Sequence, residues 1–190
     1  MKSKDFWKVA PIGVVVLALS IGALAQIPTH TRFRGLFRDY TPANTPPSVA
    51  GPWEIGGEWS LVLKGESDKV EFSAALTMVH SDLGVTNGDL NTPAARNAHT
   101  HHITLVDSTV EPLSNGGFRV TGTAIITANG NYPPPFGPSS NVQIDIIGGS
   151  SVPYSNIQMT LSGDAFKHFG GQPINGVVRS FKQNERRGDK

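Results

Sequence analysis

The chain has 190 residues, a formal net charge of +1, no cysteine and only 16% charged residues, with 21 glycines and 14 prolines. That composition excludes a disulfide-stapled scaffold and a thiolate metal site, and near-neutrality leaves no basic footprint for nucleic acid. Low charge with abundant glycine and proline suits an all-β domain with many turns.

Residues 1–25 read as an export signal. Lys2, Lys4 and Lys8 make a positive start, an apolar run through Val14, Val15, Val16, Leu17 and Leu19 follows, and Ala23-Leu24-Ala25 supplies the small-x-small pattern of a cleavage site. An uncleaved membrane anchor is the competing reading, because the run is nearly long enough to span a bilayer. Pro11, Gly13, Ser20 and Gly22 weaken such a helix, so cleavage before Gln26 is expected. The mature chain would carry 13 basic and 14 acidic residues, a net charge of −1. None of the 11 asparagines sits in an N-x-Ser/Thr acceptor. The expectation is a secreted or periplasmic protein of bacterial type, touching the membrane only through its leader, with no nucleic-acid partner.

Residues 26–52 read as a tether: Thr31 to Arg38 alternates basic and aromatic residues, and Pro42 to Pro52 is proline-rich. The folded domain is expected over 53–181, with a charged tail at 182–190. Within the domain apolar residues recur at period two, the signature of half-buried strands. Ile55, Trp59, Leu61 and Leu63 share one face. So do Phe72, Ala74, Leu76, Met78 and His80, and so do His99, His101, Ile103 and Leu105. Phe118 to Ala128, Val142–Ile146, Ser155–Leu161 and Gly176–Phe181 supply further strands. Only Asp164 to His168 suggests a turn of helix, with Asp164 as its cap. The fold class is therefore all-β, an antiparallel β-barrel of about 7–8 strands. In an up-and-down order the long connections 81–98, 129–140 and 163–173 fall at one open end, where binding sites of small barrels gather.

His99-x-His101 turns two imidazoles to one side of a strand, and His80 ends the strand expected beside it. Imidazole nitrogen binds zinc and copper well, and three such ligands leave a coordination position open. His168, in a long connection at the same end, offers a fourth ligand or a supporting group, and Asp164 offers a partner to orient an imidazole. His102 faces outward. Two other readings stay open at this point: a metal-free polar pocket, and histidines that only hydrogen-bond loop carbonyls. The chain has no cysteine nucleophile, no Gly-x-Ser-x-Gly elbow and no phosphate-binding glycine loop ahead of a helix.

Gly57-Glu58-Trp59 resembles the Gly-x-Trp signature of lipocalins and the wider calycin group. The resemblance implies a closed antiparallel barrel with a pocket for a small, mostly apolar ligand. It also implies a Trp packed across the closed base beneath a basic residue of the last strand, where Arg179 stands. The chain lacks that family's second motif, disulfide and long C-terminal helix. The His-x-His is also similar to the first cupin motif, but Leu105-Val106-Asp107 lacks the glutamate expected there.

The functional expectation is a secreted barrel that binds a small apolar or mixed-polarity molecule at a histidine-lined rim. Met78, Ile103, Leu105 and Ile126 would wall the pocket, with Tyr132 and Phe136 on a covering loop stiffened by prolines. The alternatives are a metal-dependent enzyme built on His80, His99 and His101, and a cell-envelope interaction module.

Overall fold

The computed structural model describes residues 30–43, 52–64, 69–80, 98–114, 116–130, 133–134, 136–148 and 154–183. The segment expected to be an export signal, the proline-rich stretch before residue 52, the residues beyond 183, Tyr132 and the side chain of His80 lie outside the described residues.

Eight strands form one closed antiparallel barrel: β1 (Thr31–Tyr40), β2 (Trp53–Leu63), β3 (Val70–His80), β4 (His99–Pro112), β5 (Phe118–Ala128), β6 (Ser139–Ile147), β7 (Asn156–Leu161) and β8 (Ile174–Gln183). Each strand pairs with its sequence neighbour, and β8 closes on β1. One short helix, α1 (Gly163–His168), joins β7 to β8. Strand tilt and closure in such a barrel leave an interior just wide enough for side chains to fill it. Here it is filled by one contiguous cluster in which Phe33, Phe37, Trp53, Leu61, Phe118 and Ile144 are at most 1% exposed.

The first strand corrects the expected domain limits. Thr31 to Tyr40 is not tether but β1, with Phe33 and Phe37 buried inside and Arg32, Arg34 and Arg38 exposed outside. The barrel therefore begins at Thr31 rather than at residue 53. At the other end β8 runs to Gln183, two residues beyond the expected limit.

Trp59 sits at mid-strand, paired with Gly35 on β1 and Ala74 on β3, its ring 6.2 Å from that of Phe37. A Cβ on Gly35 would lie 1.9 Å from the Val177 carbonyl oxygen and 2.7 Å from the Trp59 ring. Glycine is thus what lets the indole lie flat against the neighbouring strand. Arg179 stands exposed on the outer wall of β8, whereas the lipocalin-like arrangement would have had it cover a Trp at the base. A β-bulge at Leu105/Asp107 places the extra residue, Val106, outside at 56% exposure. The Asp107 carboxylate answers it by accepting the Thr123 backbone N–H at 2.7 Å.

The antiparallel order sends the connections 41–52, 81–98, 129–138 and 162–173 to one end of the barrel. The short links 64–69, 113–117 and 148–155 go to the other. All the long connections share the mouth where β4 begins.

Candidate metal centre at the barrel mouth

His99 and His101 open β4, and strand alternation turns both to the inner face, where His101 is 1% exposed. Between them Thr100 is tied on both sides to Asn129: its N–H donates to Asn129 Oδ1 at 3.1 Å, and its carbonyl accepts the Asn129 N–H at 2.9 Å. Asn129 takes the left-handed conformation (φ 46°) that asparagine tolerates, which aims both groups at the strand. The histidine pair thus stands on a backbone fixed from two strands.

The third imidazole comes from α1. Ser162 precedes the helix without capping it through its side chain. Its hydroxyl instead accepts the Asn141 N–H at 3.1 Å, and its own N–H donates to Ser140 Oγ at 2.9 Å, which pins the helix start to β6. Ala165 and Phe169 drop into the core, at 2% and 1% exposure. The chain leaves the helix through Gly170 (φ 98°) and Gly171 (φ 68°), and a side chain at Gly170 would meet Pro42 and Thr41 below 3.0 Å. With both ends anchored, the last helical residue, His168, swings over the mouth.

There its Nε2 lies 3.0 Å from His101 Nε2 and 3.1 Å from His99 Nε2. The ligand nitrogens of all three residues fall within 4.8 Å of one another. Nitrogens about 2.0 Å from a tetrahedral zinc ion stand about 3.3 Å apart, so the two His168 separations are close to that spacing, and the His99 and His101 nitrogens would draw together to share one ion. Burial, then the neighbouring His168 and His99, lowers the His101 pKa from 6.5 to about 3, with the Thr127 backbone a smaller opposing effect. Burial and His99 likewise lower His168 to about 4. Both rings are therefore neutral at neutral pH, each with one unprotonated nitrogen, the form a metal needs.

An aromatic collar surrounds the triad. Trp53 meets His99 edge-on at 5.5 Å, Phe136 lies 5.7 Å from His101 and 4.8 Å from His168, and Phe169 lies 5.1 Å from His101 and 5.2 Å from His168. Trp53 is held by Thr41, whose hydroxyl accepts its backbone N–H at 2.9 Å.

Of the expected site residues, the structure gathers His99, His101 and His168, with Phe136 beside them. His80 ends β3 opposite Trp53 in the ladder. His102 faces out, as expected. Asp164 orients no imidazole among the described contacts and is not the helix cap: it sits exposed in the first turn of α1, its Oδ1 2.9 Å from Lys167 Nζ. Met78, Ile103, Leu105 and Ile126 are packed within the barrel core, none above 8% exposure. Sequence reasoning missed Trp53 and Phe169. The signals available were the period-two step from Trp53 to Ile55 and the position of Phe169 directly after His168. No family model matches the chain, and neither a curated protein nor a solved structure matches it.

Proposed function

We propose that this barrel is a metal-binding protein whose mouth holds one divalent transition ion, zinc or copper, on His99, His101 and His168, with a further coordination position open to a small ligand. One observation carries the reading: His168, delivered by a helix anchored at both ends, points its Nε2 at both strand histidines from 3.0 and 3.1 Å. Neutral imidazoles this close can share an N–H between two rings, and a divalent ion can instead take the unprotonated nitrogen of all three.

Within this reading the protein is an exported, lipocalin-like barrel. The leader pattern supports export, and the closed eight-stranded antiparallel barrel supports the lipocalin-like comparison, although Arg179 does not cover Trp59 as that family's pattern would have it. The interior is filled by core side chains, so any small apolar or mixed-polarity molecule is recognised at the mouth, among Trp53, Phe136 and Phe169, rather than deep inside. In a metal-dependent enzyme the same ion would act as a Lewis acid on that molecule.

The test is thermal unfolding of the full chain with rising zinc. A ligand at about a hundred times its dissociation constant stabilises the native state by about 2.7 kcal/mol. A midpoint that climbs with zinc in the wild type and stays flat in His99→Ala is the expected result. A midpoint insensitive to zinc and to copper in the wild type would overturn the proposal.

A further inference from the structure

We infer that the open position of this metal centre takes a small monoanion such as hydroxide, azide or formate. The inference rests on the metal-binding reading above and adds the chemical class of the ligand.

Charge selects the ligand. Among the described residues the cluster contains three histidines and no Asp, Glu or Cys. The nearest acid along the chain, Asp164, is committed to Lys167 at 2.9 Å. Imidazole ligands are neutral, so a divalent ion here keeps its full double charge. The collar of Trp53, Phe136 and Phe169 carries no charge to offset it, and His101 is 1% exposed, so water screens the ion poorly from the barrel side. An uncompensated dication in an apolar setting draws an anion into its open position. The exchange is simple substitution: the anion forms a bond to the metal as bound water leaves, with no change in oxidation state.

Size follows from the same geometry. The collar rings already touch the imidazoles, with ring centres 4.8–5.7 Å apart, so a ligand seated beside the ion has to be small. Entry is from the side of His99 and His168, both only half-buried.

The experiment uses the full chain loaded with cobalt(II), whose visible absorption reports coordination, titrated with azide. The expected result is a saturable change of the visible bands, with formate competing and a bulky branched carboxylate not competing. Failure of cobalt to bind would overturn the metal reading itself. Cobalt bound with bands indifferent to azide would overturn this inference alone.

Discussion

Acid should weaken the metal-free barrel well before its carboxylates protonate, because His101 and His168 are folded in as neutral rings. In the unfolded chain both titrate near 6.5, while in the fold they titrate near 3 and 4. A group whose folded pKa is depressed contributes stability that is intact above its unfolded pKa and is lost as pH falls towards the folded value. Between pH 7 and 5 the unfolded state gains a proton on each ring and the native state gains almost none. One pKa unit corresponds to about 1.4 kcal/mol, so each fully buried ring would cost about 2 kcal/mol over that interval. Discounting for the partial exposure of His168 brings the pair to roughly 3 kcal/mol, a large share of a domain stability of about 5–15 kcal/mol. The assay is urea unfolding at fixed ionic strength with a chelator present, at pH 7, 6 and 5. His168→Gln should remove about half of the dependence, since it leaves one of the two buried rings to titrate. A wild-type unfolding free energy that is level from pH 7 to 5 would refute the reasoning, as would a His168→Gln profile identical to wild type.

Other consequences concern the frame that carries the site. Trp59→Ala should cost about 3–5 kcal/mol as a buried truncation, read by urea denaturation; a variant as stable as wild type would show that the indole is not part of the core. Gly35→Ala should cost about 1–3 kcal/mol, because its Cβ would strike the Val177 carbonyl and the Trp59 ring, and the near-ultraviolet tryptophan signal should shift with it. Arg119 grips the nearly buried Asp145 with Nε and Nη2 at 2.7 and 2.9 Å, so Arg119→Ala should lose about 1–3 kcal/mol in chemical denaturation.

Much of this architecture is legible in the chain because a barrel interior imposes a strict period of two. Leu76-x-Met78 and His101-x-Ile103-x-Leu105 could be read directly as inward faces, and the burial pattern follows them. β1 escaped for a physical reason. Its inward positions Phe33, Gly35 and Phe37 include a glycine, its outward positions carry three arginines, and the proline-rich stretch after it looked continuous with a linker. The same alternation was present there, with charge rather than threonine marking the solvent side. The histidine pair on β4 was legible because one strand places both rings. The part played by His168 was harder to see. It depends on how a connection folds back over the mouth, through the Ser140–Ser162 clasp, the Phe169 anchor and the glycine exit. These are tertiary contacts, and no local spacing announces them. His80 ends β3 opposite Trp53, with its side chain outside the described residues, and among the described residues the helix supplies the ring that meets His99 and His101 at 3 Å.

The central claim is that three imidazoles form one metal site, and the most direct measurement is metal stoichiometry. Full-length protein purified without an affinity tag would be dialysed to equilibrium against zinc and its metal content determined by elemental analysis. One zinc per chain is expected, kept in His102→Ala, whose ring faces outward, and lost in His168→Ala. A wild-type protein that holds neither zinc nor, in a parallel dialysis, copper, or a His168→Ala protein that holds the metal as well as wild type, would show that these imidazoles form no such site.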